Sequence, residues 1–199
     1  MNDYHQPLCP GKKYHIVSRA IGNEKLFRCD KNYDFFLSRY DKHISAIAET
    51  YCYSLLPNHF HFLASMKDES HIRSYYEQVT QKSYSIDIAS RFLMQQFSNL
   101  LNSYTKAFNK MFNRKGGLFI DYLRRFTIES DEQLRATIFY VHRNAVHHGY
   151  CNKLEKWPWS SYNTIIADIP TSLKRDEVLN CFGGLAGFLE YHGRPILKK

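Results

Sequence analysis

Two histidines lie two positions apart in the run His59-Phe60-His61-Phe62. Because side chains along a strand alternate between its two faces, both imidazoles would point to one side and both phenyl rings to the other. The phenyl rings could then enter a core and fix the strand, while the imidazoles hold a divalent cation between them. Since the chain contains ten histidines, a pair at this spacing arises readily by chance, and the motif alone does not establish a metal site.

A tyrosine and an asparagine, Tyr140 and Asn144, lie four positions apart in a segment with helical spacing of apolar residues. Residues at this separation project from one helix face, one turn from each other. The amide oxygen of Asn144 could complete a two-histidine metal site and leave positions open for a phosphate oxygen. A phenol, with a pKa of about 10, is both a usable nucleophile and a leaving group that a sugar hydroxyl can displace. Tyr140 is therefore a candidate nucleophile, although most of the fifteen tyrosines must pack or lie on the surface.

The segments that must position these side chains alternate between strand and helix patterns. Apolar alternation predicts strands at 14–21, 50–56, 59–66 and 118–128, and helical spacing predicts helices at 31–48, 86–113 and 131–148. This order predicts an α+β fold, a single antiparallel sheet covered by helices in a ferredoxin-like arrangement. Two tryptophans around Pro158 are expected to bury the end of the tyrosine helix against the sheet rather than stack on bases.

The length of 199 residues suits one sizeable core rather than two full domains. We expect a catalytic domain over residues 1–165 and an extension over 166–199 that packs on it, with one short helix near 175–182. No apolar run is long enough to cross a bilayer, and the first ten residues lack an apolar signal core. Five scattered cysteines indicate reduced thiols rather than disulfides. These observations predict a cytoplasmic protein without a membrane partner.

The net charge of +8 is the electrostatic footprint of a protein with a polyanionic partner, although charge alone does not establish one. Basic residues recur at four-residue steps along the long helix and continue beyond it, interleaved with aromatic residues. Such mixtures bind single-stranded nucleic acid, because cations meet phosphates and rings meet unstacked bases. The predicted nucleic-acid-binding residues are Lys106, Lys110, Arg114, Lys115, Arg124 and Arg125, with Lys12, Lys13 and Arg19 as further candidates.

The segment SLLPNHFHFL and the downstream FYVHRNAVHHGY resemble the single-tyrosine transposases of the HUH endonuclease superfamily, in particular the REP-associated tyrosine transposases. The segments YHIVSRAIGNEKLF and WPWSSY also match that branch, so the resemblance extends from about residue 14 to 162. It implies that His59 and His61 are metal ligands, that Tyr140 is the nucleophile and that Asn144 is the third ligand.

One position departs from the pattern of this branch. Proline commonly follows the ligand asparagine in these proteins, whereas Ala145 follows it here, and alanine favours a straighter helix. This leaves His148, one turn further along, as an alternative ligand. Tyr150 and Tyr122 are alternative nucleophiles.

The resemblance also implies a function. It implies Mg²⁺ or Mn²⁺ as cofactor, single-stranded or hairpin DNA as substrate, and strand transfer through a 5′-phosphotyrosine intermediate with a free 3′-hydroxyl. Both a homodimer with exchanged tyrosine helices and a monomer are compatible with it. The alternatives are a catalytically silent module that binds hairpin DNA or RNA, and a metal-dependent phosphodiesterase or replication initiator.

Overall fold

The computed structural model describes residues 6–120 and 123–194, which contain four strands, seven α-helices and one short 3₁₀ helix over Leu154–Lys156. The strands are β1 (Lys13–Arg19), β2 (Ala48–Leu56), β3 (His59–Met66) and β4 (Arg124–Ile128). The helices are α1 (Asp30–Ile44), α2 (Glu69–Thr80), α3 (Ile86–Met111), α4 (Asp131–His147), α5 (Tyr162–Ile166), α6 (Arg175–Cys181) and α7 (Leu185–His192).

The strands form an antiparallel sheet in the order β2-β3-β1-β4. With α1 between β1 and β2, and α2 and α3 between β3 and β4, this is the ferredoxin-like order, and the predicted α+β fold is confirmed. Several local predictions differ from the structure: the predicted strand 14–21 ends at Arg19, and α5 and α7 were not predicted. The helix α2 was not predicted, α1 ends at Ile44, and the fourth strand begins at Arg124, because Phe119 forms only an isolated bridge with Ala20.

One face of the sheet carries the main core. Ile16, Phe60 and Phe62 point to this face and are at most 1% exposed, packed against residues of α1 and α3. The ring of Phe62 stacks on Tyr40 of α1 with centroids 4.0 Å apart, and the ring of Phe36 lies 5.1 Å from that of Phe60. Aromatic contacts of this kind contribute beyond the burial of apolar area, so they fix the register of β3 against α1.

The opposite face carries α4 and the C-terminal helices. Ile138 and Val141 of α4 pack on Cys52 and Leu63, and Phe188 closes this second core. The short helix expected near 175–182 is α6, and α7 follows it. No helix in the two described ranges is long and apolar enough to span a membrane.

The two tryptophans join β2 to α1 and to the end of α4. Trp157 donates its indole N–H to the carbonyl of Leu55 at 3.0 Å, and its ring lies 5.6 Å from that of Tyr150 just beyond α4. Trp159 stacks on Tyr33 with centroids 4.4 Å apart. The tryptophans therefore pack on the sheet as predicted, and they also cover the start of α1.

The alternation of buried phenyl rings and site histidines along β3 predicts different effects on stability for the two faces. Phe62→Ala should lower the free energy of unfolding by about 3–5 kcal/mol, because it opens a cavity under Tyr40. His59→Ala, on the other face of the same strand, should lower it by less than about 1 kcal/mol. Urea denaturation followed by far-UV circular dichroism measures both values. Equal losses would contradict the assignment of the two faces.

Candidate metal and nucleophile site

The strand β3 presents His59 and His61 on the face opposite the main core. Val17 is the cross-strand partner of His61 and Arg19 that of His59, so the two imidazoles lie over the β1–β3 ladder. The turn at Asn58 is held because its carbonyl accepts a hydrogen bond from the backbone N–H of Ala20 at 2.8 Å. The expected placement of both histidines on one face is confirmed.

The helix α4 brings Tyr140 and Asn144 to the same face. Its first turn is capped by Ser130, whose hydroxyl accepts a hydrogen bond from the N–H of Gln133 at 3.2 Å. The apolar stripe that includes Ile138 packs on β2 and β3, and this orients the adjoining residues toward the histidines. Asn144 is fully buried, whereas Tyr140 is 47% exposed.

The four side chains converge within one chain. The Nε2 atom of His59 lies 3.1 Å from Oδ1 of Asn144. The ring of Tyr140 meets that of His61 edge to face, with centroids 5.5 Å apart. A second subunit is therefore not needed to bring the tyrosine to the histidines. Dimer formation itself stays a prediction.

Each ring nitrogen of His59 faces an amide oxygen, and a neutral ring has only one proton to donate. Burial lowers the pKa of His59, so the ring is neutral and carries one proton. Its Nδ1 lies 2.7 Å from Oδ1 of Asn58, and a proton there leaves a lone pair on Nε2 that faces the Asn144 oxygen. Adjacent ligand atoms in an octahedral site with bonds of 2.0–2.1 Å are roughly 3 Å apart. With the proton on Nδ1, the spacing between His59 and Asn144 fits a divalent cation, whereas a proton on Nε2 would make the same contact a hydrogen bond.

The second imidazole has an unused nitrogen. The Nε2 atom of His61 is buried and has no hydrogen-bond partner, while its Nδ1 lies 2.9 Å from Nε2 of His15. Burial lowers the pKa of His61 well below its ordinary value and that of His15 to about 4. If His61 donates its single proton to His15, the Nε2 lone pair is free to bind a metal, which is how ligand histidines are commonly oriented. No group of three or more His, Cys, Asp or Glu side chains in the described ranges is placed to hold a metal ion, and metal binding by the two histidines together with Asn144 stays a prediction.

His15 is the residue that the sequence analysis missed. It lies on β1 between the buried residues Tyr14 and Ile16, and strand alternation alone places it on the histidine face. Its ring stacks on that of His61 with centroids 5.1 Å apart. The alternation of apolar and polar residues in YHIV was the one sequence signal that could have placed His15 on this face. The pairing of β1 with β3, which brings His15 to His61, has no local signal.

The alternative residues lie close by or outside the described ranges. His148 follows α4, and its ring lies 5.0 Å from that of His59, so it borders the pair without the direct contact that Asn144 makes. Tyr150 is 42% exposed and contacts Trp157. Tyr122 lies outside the described residues.

The basic residues near the end of α3 lie at the His59 end of the sheet. Arg114 pairs with Glu24 at 3.1 Å and donates to the carbonyl of Gly117 at 2.7 Å, which holds the loop that follows α3. That loop meets β1 where the N–H of Ile120 bonds to the carbonyl of Arg19, the partner of His59. Three further cations lie on the surface of this region, the exposed residues Lys106, Lys110 and Lys115.

The two arginines of β4 are separated by the alternation of the strand. Arg124 borders a cavity that is also lined by His61 and Tyr140. Arg125 is 7% exposed and donates from Nε to the carbonyl of Gln6 at 2.6 Å. The structure thus places Arg124, but not Arg125, beside the candidate nucleophile. DNA contact by any of the predicted residues stays a prediction.

No protein-family model matches the chain. It is 28% identical over 117 residues to a Haemophilus influenzae protein named REP-associated tyrosine transposase, a match that covers 58% of this chain and 59% of that protein. The chain therefore spans about three-fifths of the length of this relative.

A solved structure of a REP-associated tyrosine transposase bound to a REP hairpin has the same fold. The match covers 85% of this chain and 89% of the chain in that structure, with a TM-score of 0.63 and 15% sequence identity. The predicted resemblance is confirmed. The chain is similar to REP-associated tyrosine transposases in sequence, and it has their fold.

A buried histidine pair ties α4 to the C-terminal helix α7. Nδ1 of His142 lies 3.1 Å from Nε2 of His192, and Nδ1 of His192 lies 2.8 Å from the carbonyl of Phe188. A charge on either ring is disfavoured, because both rings are buried and lie in contact with each other. Burial lowers the pKa of His192 to about 4 and that of His142 well below its ordinary value.

This pair predicts a loss of stability in acid. Histidine in the unfolded chain binds a proton at a pKa of about 6.5, whereas His192 in the folded chain does so only near 4. The unfolded chain therefore gains protons first as the pH falls, so the contribution of the pair to the free energy of unfolding is complete above a pH of about 6.5 and is lost as the pH falls toward 4. In metal-free protein, the melting temperature should fall over this interval, and His192→Phe should flatten the fall. Calorimetry at a series of pH values measures it. An unchanged slope in His192→Phe would contradict the assignment.

Proposed function

We propose that this protein is a metal-dependent DNA strand-transfer enzyme that cleaves and rejoins single-stranded DNA through Tyr140. The observation that carries the proposal is the convergence of Tyr140, His59, His61 and Asn144 on one face of the sheet. The sequence similarity to a REP-associated tyrosine transposase, and the shared fold with one bound to a REP hairpin, support hairpin DNA as the substrate class.

The chemical step uses the phenol of Tyr140. Its oxygen, after release of the proton to water, attacks the scissile phosphorus and forms a 5′-phosphotyrosine, while the bond from phosphorus to the 3′ oxygen breaks. The departing 3′ oxygen takes up a proton and becomes a free hydroxyl. A 3′-hydroxyl of another strand reverses the step and releases the tyrosine. The 47% exposure of Tyr140 supports access by a DNA backbone.

Three side chains would hold the cofactor. His59 and His61 would supply two imidazole nitrogens and Asn144 an amide oxygen to the Mg²⁺ or Mn²⁺ that the resemblance implies, and the open positions would take the water and phosphate oxygens that these ions prefer. When bound, the ion would neutralise the non-bridging phosphate oxygens and polarise the phosphorus. His15 would keep the Nε2 lone pair of His61 directed into the site by accepting the proton of its other ring nitrogen.

Positive charge supports the choice of a DNA partner. The chain carries a net charge of +8, and the loop held by Arg114 lies at the same end of the sheet as His59. Exposed Lys106, Lys110 and Lys115 extend the basic surface from this loop along α3. These exposed cations would contact phosphates of a hairpin stem.

The nucleophile assignment predicts a covalent adduct. The unmodified protein, mixed with a hairpin-bearing single-stranded oligonucleotide in Mn²⁺ or Mg²⁺, should give a protein–DNA adduct on denaturing gels. Tyr140→Phe should reduce the adduct by at least about a thousandfold, because the attacking oxygen is lost. Tyr150→Phe is the matched control on the same stretch of chain and should retain it.

Two results would contradict this assignment. An adduct that persists in Tyr140→Phe would place the nucleophile elsewhere. Hairpin binding of equal strength with and without metal, and no adduct with any variant, would favour the catalytically silent binding module instead.

The metal assignment predicts a role for His15 that does not depend on activity. His15→Phe keeps a ring against His61 but cannot accept its proton, so the affinity for Mn²⁺ should fall about 10- to 100-fold. Electron paramagnetic resonance of free Mn²⁺ during titration measures this affinity. His147→Phe, which changes an exposed histidine of α4, should leave it unchanged. Equal Mn²⁺ affinity in His15→Phe and the parent would remove His15 from the site.

A further inference from the structure

Among the described residues, α4 leaves the β1 and β4 half of the sheet face beside Tyr140 uncovered. The helix α4 packs mainly on β2 and β3, and the β1 and β4 side of the same face borders a cavity of about 480 Å³. Tyr140 and His61 form one wall of this cavity, so it begins where the proposed chemistry takes place. A strand of DNA with its phosphate at Tyr140 would pass directly over the opening.

The floor of the cavity is aromatic and aliphatic. Phe126, in the middle of β4, is half-buried, and Val17 and Ile128 also line the floor. The ring of Phe126 is stacked beside His15 with centroids 5.7 Å apart, and the ring of His15 meets Tyr140 at 5.8 Å. A partly open apolar floor that is continuous with a polar site is typical of a pocket for a flat, partly polar ligand.

The rim carries hydrogen-bonding groups and a cation. Gln133 and Thr137 lie one turn apart on α4 and face the cavity, and Arg124 lines it from β4. The Oε1 atom of Gln133 accepts a hydrogen bond from the N–H of Glu129 at 2.8 Å. This contact orients the side-chain amide and leaves its N–H groups to donate. Rings, amides and a guanidinium together are what unpaired bases meet in proteins that bind single strands.

We propose that this cavity binds one unpaired nucleobase of the DNA strand, that of a nucleotide next to the scissile phosphate. The base stacks on Phe126, and Gln133 and Thr137 contact its polar edge. A base inside a duplex is already stacked and paired, so the cavity selects single-stranded DNA at the point of cleavage. The inference deepens the proposed function and depends on it for the position of the phosphate at Tyr140.

The test removes bases one at a time from the DNA. A fluorescent hairpin with a single-stranded tail of mixed sequence is bound to Tyr140→Phe, which keeps a ring in the wall but cannot cleave. Each tail nucleotide is replaced in turn by an abasic site, and affinity is measured by fluorescence anisotropy. One position should weaken binding about 5- to 100-fold, the range expected for loss of a single stacked base.

Variants of the floor connect that position to the cavity. In Tyr140→Phe protein, the further change Phe126→Ala should weaken binding to intact DNA by a similar factor and abolish the penalty of the abasic position. Phe126→Tyr should retain both the affinity and the penalty. Phe35→Ala, which removes a partly buried ring from α1 across the sheet, is the matched control and should change neither. If Phe126→Ala does not fold, Gln133→Ala on the exposed side of α4 should reduce the penalty.

The outcomes separate this inference from the proposed function. Adduct formation by the unmodified protein, together with an abasic profile that stays within twofold or a penalty unchanged in Phe126→Ala, would overturn the cavity and leave the chemistry standing. An abasic penalty that depends on Phe126, without any adduct, would support the cavity as a base-binding site and reject strand transfer.

Discussion

The strict alternation of β3 is the constraint on which the site depends. Phe60 and Phe62 are held by aromatic contacts with α1, and because successive side chains point to opposite faces, His59 and His61 have to face the other way. A shift of one residue in the pairing of this strand would bury both imidazoles in the main core and expose both phenyl rings. The packing energy of the phenyl rings therefore orients the histidines.

The helix α4 must pack on the sheet with one face and position two site residues with the adjoining face. Its apolar stripe must stay on β2 and β3, and the pair of His142 and His192 ties it to the C-terminal helix. Its other face must present Tyr140 to solvent while it buries Asn144. The two residues are one turn apart, and Tyr140 lines the cavity beside β1 and β4. A small rotation of α4 would change both positions together.

The site lacks the hydrogen bonds that buried polar groups normally make. The Nε2 atom of His61 and the Nδ2 atom of Asn144 are both buried without a partner. Such groups cost about 1–3 kcal/mol each, and a bound ion or water can remove that cost. Buried atoms without a partner also occur away from the site in the described ranges, for example Nε2 of His43. The region around His61 differs because the ring of His59, with Oδ1 of Asn144 beside it, lies next to the unpaired nitrogen and offers further candidate donors.

Local patterns in the sequence by itself determined where the strands and the long helices lie. For β3 and α4 they also determined which side chains share a face. The sequence also determined the resemblance, and with it the four residues of the site. Only the tertiary structure decided that Asn144 touches His59, that His15 pairs with His61, and that Arg125 is buried while Arg124 lines the cavity. The first two contacts depend on sheet register and helix packing between residues 46 and 85 positions apart, and the burial of Arg125 depends on its bond to Gln6, 119 positions away; a local pattern carries no signal for such distant pairings.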